Sequence, residues 1–97
     1  MLDLDLLRSV ATQLMGPDAV VVAGETLAVE RVGGGRLKTV RFRMNGRSYQ
    51  AIEQNPQKPS NWGRLARAGH QVVQFRDVAT NKYVAVAVDG EVREYGA

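Results

Sequence analysis

The stretch Gln71–Tyr95, QVVQFRDVATNKYVAVAVDGEVREY, decides the fold. It reads as three antiparallel strands in a row. Gln71 to Asp77 is the first, and Val78–Asn81 is a short, polar-leaning link. Lys82 to Val88 is the second, rich in β-branched residues that suit a pleated, half-buried surface. Asp89-Gly90 follows, a two-residue turn of the kind that accepts positive φ, as a type I′ hairpin requires. Glu91 to Tyr95 is the third strand.

Upstream of these strands, Gly69 ends a short helix predicted over Asn61–Ala68, and Ser60 is suited to cap its start. Trp62, Leu65 and Ala66 make the inner face of this helix, while Arg64 and Arg67 point outward. The connection Gln54–Pro59 carries two prolines and separates two halves of one domain.

Before it lies the clearest hairpin of the chain. Arg36 to Met44 alternates, with Val40, Phe42 and Met44 on one face and Arg41 and Arg43 on the other. Asn45-Gly46 is a strong two-residue turn signal, and Arg47 to Glu53 returns. That loop length sets Phe42 opposite Tyr49, Val40 opposite Ala51 and Arg43 opposite Ser48. Arg41, Arg43, Ser48 and Gln50 are therefore expected together on an exposed polar face.

Gly33-Gly34-Gly35 precedes the hairpin. No Gly-Lys-Ser/Thr follows it, so it reads as a loop between strands and not as a phosphate cradle. Asp18–Val32 is β-rich, with Gly24 marking a turn or a bulge. At 100° per residue, Leu2, Leu4, Leu6, Leu7, Val10, Ala11, Leu14 and Met15 share one broad arc of an N-terminal helix. Gly16-Pro17 ends that helix. The arc is expected to pack on a sheet. Its width leaves room for a second subunit, and a charge at Leu2 or Leu6 would then dissociate a dimer.

The architecture is α-βββ-α-βββ, an α+β domain with its helices on one face of antiparallel strands. One curved sheet and two packed sheets both fit this order.

With 97 residues, 44% hydrophobic and 24% charged, the chain suits one small globular domain spanning residues 1–97. Cysteine is absent, which excludes disulfides, thiolate metal sites and cysteine nucleophiles. No apolar run approaches the roughly 18 residues of a membrane helix, and the acidic start does not resemble a signal peptide. A cytoplasmic protein without a membrane partner is the default expectation. The net charge of +3 is uneven: Arg31, Arg36, Lys38, Arg41, Arg43 and Arg47 form a run without an acid, leaving seven bases against ten acids elsewhere.

The chain offers little for catalysis. His70 is the single histidine, and Asp77 and Glu53 are its nearest candidate carboxylates. A local role fits it as well, its ring bonding the last free carbonyls of the helix before it. Ser9, Ser48 and Ser60 lie in no nucleophile elbow, and no acids or histidines cluster with zinc or calcium spacing. No catalytic residue, cofactor or metal is expected. A small enzyme using His70 would need the ring in a cleft beside a carboxylate.

Binding is the expected activity. One version is a polyanion, such as nucleic acid, held by Arg36, Lys38, Arg41, Arg43 and Arg47 with Ser48, Gln50 and Asn45 adding polar contacts. Phe42 and Tyr49 alternate onto the opposite face and read as core. The plain counterpart is a solvated strand face whose charges discourage edge pairing. Another version is a protein partner, or a second copy, anchored by Trp62, Arg64 and Arg67. Its counterpart is a Trp62 that seals helix against sheet.

Overall fold

The computed structural model describes residues 4–32, 35–54 and 56–95, with 23–38 and 95 described through their backbone alone. Element order follows the expected α-βββ-α-βββ: α1 (Leu4–Met15), β1 (Val21–Val32), β2 (Gly35–Met44), β3 (Arg47–Glu53), α2 (Asn61–Arg67), β4 (Val72–Asp77), β5 (Lys82–Val88) and β6 (Glu91–Tyr95). The six strands form a single antiparallel sheet in sequence order, which settles the choice between one sheet and two. Leu2 and Asp3 of the helix and Gly33-Gly34 of the loop lie outside the described residues. Gly24 falls in a continuous β1, where the pairing with β2 slips between Ala23 and Ala28. Irregular pairing, not a turn, absorbs that segment.

The turns carry the register. Asn45 and Gly46 have φ of 51° and 82°, and Asp89 and Gly90 have 51° and 84°, as type I′ loops require. Phe42 accordingly pairs with Tyr49, Val40 with Ala51 and Arg43 with Ser48. Asn45 does more than turn. Its Oδ1 accepts from the Val20 amide at 2.9 Å, and its own amide donates to the Val20 carbonyl at 2.9 Å. This side chain ties the link after α1 to the hairpin and is not a free polar group for a ligand.

α1 covers one face of the sheet. Leu6, Leu7, Val10 and Ala11 meet Val40, Phe42, Met44, Tyr49, Ala51, Val73, Phe75, Ala85 and Ala87. Phe42 centres an aromatic group, 5.9 Å from Tyr49 and 5.9 Å, edge-on, from Phe75. Each fully buried apolar side chain here contributes about 1.5–3 kcal/mol relative to exposure. The apolar arc of α1 is thus largely used within the chain. Leu6 is buried, so a charge there would break the core before it could report on a dimer. Gln13 fastens the polar side of α1 to the β5–β6 turn, donating to the Gly90 carbonyl at 2.8 Å and accepting from the Val92 amide at 2.7 Å.

α2 takes the opposite face, contrary to the expectation of helices on one side. Trp62, Leu65 and Ala66 pack on Val72, Val86 and Val88, the alternates of Val73, Ala85 and Ala87. With α1 already spread over the first face, these valines are the apolar ground left beside the β3–β4 connection. Ser60 caps α2 as expected, its Oγ accepting from the Gly63 amide at 3.1 Å. The helix ends at Gly69, φ 98°, with the Gly69 amide on Ala66 and the His70 amide on Leu65. The backbone of His70, not its ring, therefore satisfies the last carbonyls.

Candidate functional site

On the second face the described side chains away from α2 are exposed or half-buried, and strand register decides what stands on it. One row runs Arg41, Gln50, Arg76, Tyr83 from β2 to β5. The next runs Thr39, Ile52, Gln74, Val86, Glu94 from β2 to β6. Arg43 and Ser48 stand beside the first row on the hairpin side. Arg41 and Arg43 are exposed, and neither bonds a carboxylate among the described residues. Arg76 donates through Nη2 to the Gln50 side-chain carbonyl, which holds the guanidinium over the sheet between β3 and β4. Tyr83 is 48% exposed.

This arrangement brings together the four residues expected on one polar face, with Arg41 and Arg43 exposed and Ser48 and Gln50 half-buried. Arg47, grouped with them as a polyanion contact, stands apart. Arg47 pairs with Met44, so its side chain projects on the α1 side, and its Nη2 lies 2.7 Å from Oδ2 of the nearly buried Asp77. Asp77 also accepts from the Ala79 amide at 2.9 Å, so this carboxylate organises the β4–β5 turn. Arg36 and Lys38 lie on β2, and Arg31 on β1, but their side chains fall outside the described residues. Arg76 and Tyr83 are additions that the hairpin alone did not reveal.

The second row runs toward α2, where Trp62 stands between two concavities. One, of about 160 Å³, is lined by Trp62, Gln74, Tyr83, Ala85, Val86 and Glu94. The other, of about 530 Å³, is lined by Trp62, Leu65, His70, Val88, Asp89 and Arg93. Trp62 thus seals helix to sheet, as its plain reading required, and still presents part of its surface. Arg64 is exposed and Arg67 is occupied, donating to the carbonyls of Pro56 and Lys58, the latter at 3.0 Å. Trp62, Arg64 and Arg67 therefore do not form one contact patch: the two arginines face the connection and solvent, the indole faces the sheet.

His70 does lie in a cleft beside a carboxylate. Its Nδ1 is 2.8 Å from Oδ2 of Asp89, while Oδ1 of Asp89 accepts from the Gln71 amide at 2.9 Å. The partner is neither Asp77 nor Glu53. The β4–β5 register, with Val72 opposite Val88, brings residues 70 and 71 against 89. The hydrogen bond from His70, and then that from Gln71, hold the Asp89 carboxyl below its ordinary value. No serine or threonine is among the residues lining this concavity. Among the described residues, no group of acids or histidines is placed to hold a metal ion, and no helix is long and apolar enough to cross a membrane. No protein-family model matches the chain, and no curated protein and no solved structure is significantly similar to it.

Proposed function

We propose that the protein is a binding module whose open sheet face takes a single-stranded polyanion, with nucleic acid as the ligand class. One observation carries the reading. Arg41, Arg43 and Arg76 share a face with the exposed phenol of Tyr83, and Arg41 and Arg43 have no carboxylate partner among the described residues. Guanidinium forks suit phosphate oxygens, and Ser48 and Gln50 add hydrogen-bonding groups between them. An exposed aromatic ring on a sheet face suits a base that is already unstacked, which favours a single strand over a duplex. The test is binding of a single-stranded oligonucleotide measured across salt concentrations. The expected log–log slope is about −2, roughly 0.7 for each phosphate met by the three arginines. Arg41→Ala with Arg43→Ala should bring it to about −0.7. Absence of binding at low salt ends the proposal.

A second reading rests on the His70–Asp89 pair in the larger concavity. A carboxylate that orients one ring nitrogen leaves the other to take a proton from water or from a substrate hydroxyl, and Arg93 on the same wall suits a developing anion. Hydrolysis of an activated phosphodiester is the assay. Turnover above the blank that His70→Ala abolishes supports this reading, whereas turnover indifferent to that substitution removes it.

A further inference from the structure

We infer that the small concavity between Trp62 and Tyr83 is a pocket for one nucleobase and that it selects guanine. The inference rests on the open-face reading above and adds to it a site with its own chemistry. Three observations converge. The pocket holds about 160 Å³, on the scale of a single heterocycle, and is lined by an indole and a phenol, surfaces that stack on bases whatever their identity. Besides the indole N–H and the phenol O–H, its polar groups are the Gln74 amide and the Glu94 carboxylate, neighbours of Val86 on either side of the second row. Tyr83 also belongs to the row of Arg41, Gln50 and Arg76, so a strand whose phosphates lie on the arginines has its next base beside the pocket.

Glu94 sets the selectivity. An ionised carboxylate only accepts hydrogen bonds, and in the path of a polyanion it repels phosphate. A base is welcome there only if its edge donates. Guanine presents two adjacent donors on its Watson–Crick edge, the ring N–H and the exocyclic amine, which match the two oxygens of a carboxylate. Adenine and cytosine present an amine next to an acceptor. Thymine presents one N–H between two carbonyls, which a carboxylate opposes. Gln74, with a donor and an acceptor, can meet the guanine carbonyl without a charge of its own. The same carboxylate that rejects a misplaced phosphate thus recognises one base, attraction and exclusion acting together.

Trp62 is the single tryptophan, so its fluorescence reports on this pocket directly. The experiment compares the pentamers d(TTGTT) and d(TTTTT) at low salt, by Trp62 quenching and by anisotropy of a labelled strand. The expected result is d(TTGTT) bound roughly tenfold tighter, the scale of one good bidentate base contact, with deep quenching. Glu94 is exposed, so Glu94→Gln should fold, reduce the preference to about twofold or less and leave d(TTTTT) binding undiminished. Equal binding of both pentamers by the wild type overturns the pocket and leaves the open face standing. A preference that survives Glu94→Gln, or binding without any change in Trp62 fluorescence, also overturns it. Failure of both pentamers to bind overturns the open-face reading and this inference together.

Discussion

The two faces of this sheet are built from the same strands and have different work. On the α1 face, Phe42, Phe75, Met44 and Val73 are fully buried, and Asp77, the one buried charged residue among those described, is paired with Arg47. On the other face, the described apolar cluster is Val72, Val86 and Val88 under a seven-residue α2, and beside it arginine, glutamine and tyrosine are joined by Thr39, Ser48, Ile52 and Glu94. Strand alternation makes the separation possible, since neighbours in sequence serve opposite faces. Val40 and Phe42 hold the fold while Arg41 and Arg43 between them remain available. One face should therefore answer substitution with loss of stability and the other with loss of binding.

The largest effect belongs to the covered face. Phe75→Ala should cost about 3–5 kcal/mol, since it empties the position where the ring meets Phe42 edge-on under α1. Urea unfolding checks it, and a cost under 1 kcal/mol would show that the face is not tightly packed. Next comes Gly63→Ala, on the weaker side. A Cβ there would collide with the Lys58 carbonyl oxygen, so either α2 or the 56–59 connection must move. The expected loss is about 1–3 kcal/mol, the range for overpacking against backbone. If the two faces are as separate as proposed, Gly63→Ala should loosen Trp62, shown by a red-shifted emission, and leave α1 helicity intact.

How far the sequence foretold this division depends on distance along the chain. The β2–β3 hairpin was legible because its register is local: Asn45-Gly46 fixes the loop, and the loop fixes Phe42 against Tyr49. The same arithmetic sets Met44 against Arg47, so parity alone moves Arg47 off the basic face, although its charge grouped it with Arg41 and Arg43. Arg76 and Tyr83 were not legible as site residues. Their place beside Gln50 needs the β3–β4 register, set across the whole α2 excursion. His70 and Asp89 meet for the same kind of reason, since Asp89 carries its turn signal openly and its partnership only through the β4–β5 pairing. Gly63 lies within the short helix predicted over Asn61–Ala68; what requires it is the Lys58 carbonyl, brought close by a connection whose path no periodicity describes.

Smaller in stability, but decisive for the comparison, is Arg43→Ala. The side chain is exposed and unpaired among the described residues, so unfolding free energy should stay within about 0.5 kcal/mol of the wild type. Affinity for a single strand should fall, with a shallower salt slope. Asp77→Asn gives the contrast from the other side of the sheet. It weakens the pair with Arg47 and should destabilise by about 1–3 kcal/mol while leaving that slope unchanged. A slope altered by Asp77→Asn as much as by Arg43→Ala would mean that the faces do not act separately.

The smallest effect is a dependence on pH at the margin between the faces. Folding lowers the Asp89 carboxyl below its ordinary value of 3.8, first through His70 and then through the Gln71 amide. A depressed carboxyl stabilises the fold when ionised, so its contribution is complete above the unfolded value and is lost as pH falls through the lower, folded one. Asp89→Asn keeps a residue that tolerates the positive φ of the turn, and so removes the charge without the bend. Wild type should be the more stable of the two at neutral pH, and the gap should close as pH drops below about 3.8. Thermal melts of both proteins across that range measure it. A gap that is constant with pH would mean that Asp89 works through turn geometry alone. The His70 pair would then be a consequence of the β4–β5 register and not a stabilising feature of the cleft.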